Sequence, residues 1–116
     1  MEEVNKSLLT GPQYFLDFES DKKGNIYLMG ILTPEGFTIY VTDPKLKALV
    51  TNDTFKKKYN VRFIDLKKAL LFLLESIDKN KGTLVAYSDY ESEVIRNMFP
   101  SLEWNIPYLN LRTAAK

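Results

Sequence analysis

Two acidic side chains stand inside an apolar segment near the start of the chain. Asp17 and Glu19 belong to the stretch FLDFES, residues 15–20. If this segment is a β-strand, side chains two residues apart point to the same face, about 7 Å apart along the strand. Two carboxylates buried together are costly unless a counter-charge neutralises them. A divalent cation would do so, and the pair therefore predicts a site for Mg²⁺ or Mn²⁺, which prefer oxygen ligands.

A second acidic stretch lies in VAYSDYESEVI, residues 85–95, where a predicted strand passes into a predicted helix. In α/β sheets, ligand sites gather at the carboxyl ends of strands. Glu91, with Asp89 as a reserve ligand, could therefore complete the site begun by Asp17 and Glu19. Two metal ions held about 4 Å apart can clamp a phosphodiester during attack by water.

Both acidic stretches also have an interpretation without chemistry. The pair in the first strand could stand in water at the strand end, or it could pair with a basic residue: Lys22, Lys23 or Arg112. Ser88 and Glu91 have the spacing of a capping box, in which Glu91 reaches back to the backbone of Ser88. Taken one at a time, the two stretches are explained more simply in this way.

The composition narrows the chemistry that is available. The chain has 116 residues without cysteine or histidine, which excludes thiol catalysis, serine–histidine arrangements and zinc sites built on either residue. An apolar content of 45% is enough for the core of one folded domain, so we expect a single domain over residues 1–116, with 1–11 as a lead-in segment. No secretory signal or membrane-spanning stretch is visible, which favours the cytoplasm and no membrane contact.

Basic residues are concentrated in the middle of a chain whose net charge is only +1. Such a block is compatible with a surface that faces DNA or RNA, although a lysine-rich helix in water explains it too. Six side chains are candidates to contact backbone phosphates: Lys56, Lys57, Lys58, Arg62, Lys67 and Lys68. Tyr87 and Tyr90 could stack on an unpaired base.

The elements that must position these residues follow an order of β-β-β-α-β-α-β. Three strands joined by short turns come first, as an antiparallel meander: 13–20, 26–33 and 37–42. Short helical pieces are possible at 44–50 and 52–59. The remaining elements are a helix capped by Asp65, a strand, a helix capped by Ser88 and a weaker strand: 65–79, 83–87, 89–99 and 106–111. A meander followed by crossover helices predicts an α/β domain with a mixed sheet.

The segments YFLDFESDKKGNIYLMGIL and LVAYSDYESEVIRNMF together resemble the ribonuclease H-like exonucleases of the DEDD type, and most closely the YprB-like ribonuclease H-like domains. In that family a first strand with D-x-E is followed by an apolar strand similar to IYLMG at 26–30. A later strand ends in an element that reads AYSDYE here, at 86–91. The resemblance implies a metal-dependent nuclease in which Asp17, Glu19 and Glu91 hold Mg²⁺ or Mn²⁺.

The chain departs from that family near its last strand. Such nucleases have a fourth acid on a later helix, and Asn110 stands near a position where a family member often has aspartate. The final helix is therefore expected to be missing. This departure leaves three interpretations: a minimal or degenerate version, a fragment of a longer chain, or an oligomer whose partner supplies the acid. The alternative function is a catalytically degenerate binding or regulatory module on the same scaffold.

Overall fold

The computed structural model describes residues 2–3, 11–46, 60–101 and 106–114. Most of the predicted lead-in and the whole of the predicted helical piece 52–59 lie outside these ranges. Of the other predicted piece, only Pro44–Leu46 is described, and it forms one 3-10 turn.

One mixed sheet contains all the strands of the described residues. They are β1 (Glu2–Glu3), β2 (Gln13–Ser20), β3 (Ile26–Thr33), β4 (Gly36–Val41), β5 (Val61–Phe63), β6 (Thr83–Ala86) and β7 (Pro107–Asn110). The sheet has the order β1-β7-β6-β2-β3-β4-β5. The meander β2-β3-β4 is antiparallel, whereas β6 pairs parallel with β2, β7 with β6, β5 with β4 and β1 with β7. The predicted mixed sheet and its opening meander are confirmed.

Three α-helices accompany the sheet in the described part of the chain: α1 (Leu66–Lys79), α2 (Tyr90–Met98) and α3 (Leu111–Ala114). The alternation of β2 puts Tyr14, Leu16 and Phe18 on one face, and all three are buried. The apolar sides of α1 and α2 pack against that face, and their buried apolar residues belong to the same core cluster. The opposite face of β2 carries the acids.

Asp65 caps the start of α1 as predicted, because its carboxylate accepts a hydrogen bond from the Lys68 amide at 3.2 Å.

At the other end of α1, the passage to β6 is fixed by close packing. The left-handed residue after the helix is Lys81, with φ 54°, and not the glycine that follows. Gly82 is needed for another reason, since a Cβ there would lie 2.7 Å from the Tyr14 ring. The missing side chain leaves room for the Tyr14 ring where β6 begins to pair with β2.

Four elements differ from the prediction. β1 and β5 were not predicted, because two and three residues are too few to show an alternating pattern. α3 follows β7 directly, where no helix was expected. α2 begins at Tyr90, one residue later than predicted, with Asp89 as its N-cap residue, although the Ser88 hydroxyl accepts a hydrogen bond from the Tyr90 amide. None of the helices in the described ranges has the length and apolar character that crossing a lipid bilayer requires.

Candidate functional site

An opening in the sheet lies between β2 and β6. The two strands pair only from Gln13↔Thr83 to Phe15↔Val85, whereas β2 continues beside β3 as far as Ser20. Beyond Phe15, the edge of β2 that faces β6 therefore has no partner among the strands that the structure describes. Such a divergence at the carboxyl ends of neighbouring strands is where α/β sheets bind ligands.

Glu91 reaches into this opening from the first turn of α2. Its Oε2 accepts a hydrogen bond from the Phe18 amide at 3.4 Å, and the side chain is only 5% exposed. The Phe18 nitrogen is bonded to the carbonyl carbon of Asp17, so this oxygen lies within about 6 Å of the Asp17 Cα. The structure thus brings together two acids that are 74 positions apart in the sequence.

Ser88 holds the other oxygen of the same carboxylate. Its hydroxyl donates to Glu91 Oε1 at 3.2 Å and accepts from the Tyr90 amide at 3.2 Å. The predicted capping box is therefore wrong, because Glu91 bonds the Ser88 hydroxyl and the β2 backbone. A side chain that would ordinarily cap its own helix is used to bridge α2 and β2.

The pKa of Glu91 is raised above its ordinary value of 4.5. Burial is the main cause, since it penalises the charged form. Hydrogen bonds from the Glu91 and Phe18 amides and from the Ser88 hydroxyl lower the pKa, but the negative charge of Asp17 raises it again. A cation near Glu91 would stabilise its charged form, because the cation offsets both the cost of burial and the repulsion by Asp17.

Asp17 and Glu19 are both exposed, so the expectation that they form a buried pair is wrong. They share the face of β2 that points away from α1 and α2. Neither side chain has a hydrogen bond or an ion pair with the described residues, so the alternative pairing with Lys22, Lys23 or Arg112 is not observed there. The buried acid is Glu91, and the two acids of β2 stand in water beside it.

A shallow apolar cavity of about 220 Å³ adjoins Asp17 on this outer face. Its floor is Gly30, which pairs with Asp17 across β2 and β3. Because Gly30 has no side chain, the Phe37 ring can lie over it, 3.4 Å from the position of a Cβ. Phe37 is 50% exposed and Tyr87, on the far wall, is 71% exposed. Sequence reasoning missed Phe37, although a glycine in the middle of an apolar strand is the signal for such an approach.

Asp89 does not share the position of Glu91. Its Oδ1 accepts a hydrogen bond from the Asn110 side chain at 2.8 Å. Asn110 ends β7, which lies on the far side of β6 from β2. Asp89, the predicted reserve ligand, therefore lies at the β7 side of the opening, away from β2.

The candidate contacts to nucleic acid are spread over the fold. Arg62 is in register with Tyr40, Met29 and Phe18, which puts it three strand spacings, about 14 Å, from β2. The Lys67 ammonium lies over the Phe99 ring, 5.8 Å from its centroid, and the neighbouring Lys68 is exposed in the first turn of α1. The other three candidate lysines lie outside the described residues: Lys56, Lys57 and Lys58.

The two tyrosines of the candidate surface differ in their contacts. Tyr87 is largely exposed and lines the cavity beside Asp17. Tyr90 is 37% exposed, and its ring meets Phe18 edge-on, with the ring centroids 6.3 Å apart. Tyr87 is therefore free to stack on a ligand, whereas Tyr90 also packs against the core.

Within the ranges that the structure describes, no group of three or more acidic side chains is arranged to hold a metal ion. The site consists of Glu91 at β2, Asp17 beside it and Glu19 two residues further along the same face. Comparison of the chain with protein-family models and with curated proteins gives no match.

Proposed function

We propose that this protein is a metal-dependent nuclease with a ribonuclease H-like fold, which hydrolyses phosphodiester bonds of DNA or RNA. One observation carries the proposal. A buried carboxylate, Glu91, is held against β2 next to the exposed carboxylate of Asp17, at the opening between β2 and β6.

The strand order supports the fold that the proposal names. An antiparallel meander, β2-β3-β4, is followed by β6 and β7, which are added in parallel on the other side of β2. Both connections contain a helix, and α1 and α2 contribute to the same core cluster. This arrangement puts the start of α2 beside the carboxyl half of β2, which is the placement that a shared acid site requires.

The donors present suit Mg²⁺ or Mn²⁺. Mg²⁺ is commonly bound by one or two carboxylates together with phosphate oxygens of the substrate, so two acids are enough when the substrate completes the shell. Asp17 and Glu91 would be the protein ligands, and Glu19, exposed on the same face as Asp17, would be the third. When bound, the ion would lower the pKa of a water molecule and stabilise charge on the leaving oxygen.

The chain's own residues provide the remaining requirements. The Phe18 amide and the Ser88 hydroxyl orient the Glu91 carboxylate. The cavity beside Asp17 presents exposed aromatic rings, Phe37 and Tyr87, on which an unpaired base can stack. Lys68 and Arg62 would contact the backbone of a longer strand.

Cleavage of a labelled single-stranded DNA or RNA in Mg²⁺ or Mn²⁺ tests the proposal. The wild type should shorten at least one of the two strands, and chelation should stop it. Asp17→Asn and Glu91→Gln should each lose the activity, because each removes a proposed ligand. Glu93→Gln is the matched control, since Glu93 is exposed on the same helix as Glu91 and should retain full activity. If neither the DNA nor the RNA is cleaved, whether in Mg²⁺ or in Mn²⁺, the proposal is contradicted.

One observation favours a second function, a binding module without catalysis. The described residues offer no group of three acids for a metal. Such a module would bind the same labelled strands, and its affinity would fall as salt rises. It would leave them intact in Mg²⁺ and Mn²⁺, and Asp17→Asn would leave its affinity unchanged or slightly higher.

A further inference from the structure

The end of β7 is attached to the corner where β6 passes into α2. Asn110 is only 4% exposed, and each of its polar side-chain atoms has a partner. Its Nδ2 donates to Asp89 Oδ1 at 2.8 Å, and its Oδ1 accepts from the Arg112 and Thr113 amides at 3.0 and 3.3 Å. One buried amide therefore begins α3 and holds Asp89 at the same time.

Asp89 is the N-cap residue of α2, but its side chain makes no capping bond to that helix. An aspartate at this position ordinarily accepts from the second or third amide of its own helix. Here the carboxylate is turned to Asn110 instead. The carbonyl of Ser88, the residue before it, accepts a hydrogen bond from the Tyr108 hydroxyl, so β7 holds both residues of the corner.

Glu91 stands two residues after Asp89, in the first turn of the helix that this corner starts. The Ser88 hydroxyl also donates to Glu91, so the corner touches the carboxylate directly. We propose that Asn110 is a positioning residue for the acid site: it fixes Asp89, and with it the start of α2, where Glu91 reaches β2. This inference rests on the proposed metal site, and it assigns to Asp89 the role of an anchor and not of a ligand.

Exchanging the two side chains gives a sharp test. In Asn110→Asp, the new carboxylate can still cap α3, because aspartate is as good an N-cap as asparagine. It faces the carboxylate of Asp89, however, and the two repel each other. Adding Asp89→Asn restores one amide and one carboxylate with their positions exchanged. Asp89→Asn alone still presents an oxygen to the Asn110 amide and serves as the single-change control.

Mn²⁺ affinity is the first readout. We expect Asn110→Asp to weaken Mn²⁺ binding about tenfold or more, as is typical when a residue that orients a ligand is changed. Asp89→Asn alone should stay close to the wild type, and the exchanged pair should recover most of the lost affinity. The inference is wrong if Asn110→Asp binds Mn²⁺ normally, or if Asp89→Asn abolishes binding and the exchanged pair does not recover it.

Hydrogen exchange of the Phe18 amide tests the positioning without metal. This amide donates to Glu91, so Asn110→Asp should speed its exchange about tenfold, while the Leu84 amide of the core strand β6 changes less. The exchanged pair should return the Phe18 rate towards that of the wild type. Equal acceleration at both amides would mean that Asn110 only stabilises the fold. If the wild type binds no Mn²⁺ but the Phe18 pattern holds, the proposed function fails and the positioning stands.

Discussion

Two substitutions of Glu91 should differ in their effect on stability: Glu91→Ala should destabilise the protein, and Glu91→Gln should not. Glu91→Ala removes the acceptor of the Phe18 amide, which is buried, and the acceptor of the Ser88 hydroxyl. Leaving a buried donor without a partner costs about 1–3 kcal/mol. The hydrogen bond to Phe18 is long, at 3.4 Å, so we expect a loss of about 2 kcal/mol. In a domain of this size that loss lowers the Tm by about 8 °C.

Glu91→Gln should instead leave the protein as stable as the wild type, or more stable, at pH 7. The amide oxygen can still accept from Phe18, and the amide nitrogen can donate to the Ser88 hydroxyl. The substitution also removes the charge that burial and Asp17 make unfavourable. Stability gained by removing a group is expected where that group serves function and not folding.

The pH dependence of this difference follows from the raised pKa of Glu91. The folded protein holds the proton of Glu91 more tightly than the unfolded chain does. The resulting stabilisation of the folded state is therefore complete below pH 4.5, the ordinary pKa of the side chain. It is lost as the pH rises through the raised pKa. The advantage of Glu91→Gln over the wild type should therefore be near zero in acid and should grow towards neutral pH.

Thermal unfolding followed by circular dichroism between pH 4 and 8 measures these effects. Glu93→Gln, an exposed change on the same helix, should track the wild type at every pH. The reasoning is refuted if Glu91→Gln is destabilised as much as Glu91→Ala at pH 7. That result would mean that the charge of Glu91 is itself needed by the fold.

Three further substitutions have predictable effects on single properties. Gly82→Ala puts a Cβ 2.7 Å from the Tyr14 ring and 2.8 Å from the Pro12 carbonyl oxygen. It should lower the free energy of unfolding by about 1–3 kcal/mol, measured with denaturant. A stability equal to that of the wild type would refute the packing argument. Asp65→Ala removes the cap of α1 and should cost about 1 kcal/mol, and Asp65→Ser should recover most of it; equal losses would exclude capping as the cause. Tyr87→Ala should leave the Tm unchanged but weaken binding of single strands by about 1–3 kcal/mol, measured by fluorescence anisotropy, and unchanged affinity would remove Tyr87 from the proposed surface.

The sequence predicts the first half of the fold well because its signals there are local. β2 and β3 have the predicted bounds, since β2 alternates buried apolar with more exposed positions, β3 is a run of apolar residues, and each ends at a turn. The helical spacing of Leu70, Leu73 and Leu74, together with the cap by Asp65, defines α1 in the same way. β5 escapes prediction because its three residues take their conformation from pairing with β4.

The contacts of the candidate site cannot be predicted from local sequence patterns. Glu91 can bond Phe18 only because β6 stops pairing with β2 at Phe15, and this register is a property of the whole sheet. The bond between Asp89 and Asn110 likewise depends on β7 lying beside β6. The residue types were visible in the sequence, but local patterns do not specify which of them meet.

Titration of the protein with Mn²⁺ in a calorimeter, with and without a non-cleavable single-stranded oligonucleotide, tests the central claim most directly. If Asp17 and Glu91 share a cation with a phosphate, the wild type should bind Mn²⁺ more tightly when the oligonucleotide is present. Asp17→Asn should abolish that binding, and Glu93→Gln should not change it. A wild type that binds no Mn²⁺ at millimolar concentration in either condition, or an Asp17→Asn variant that binds it as well as the wild type, would contradict the account.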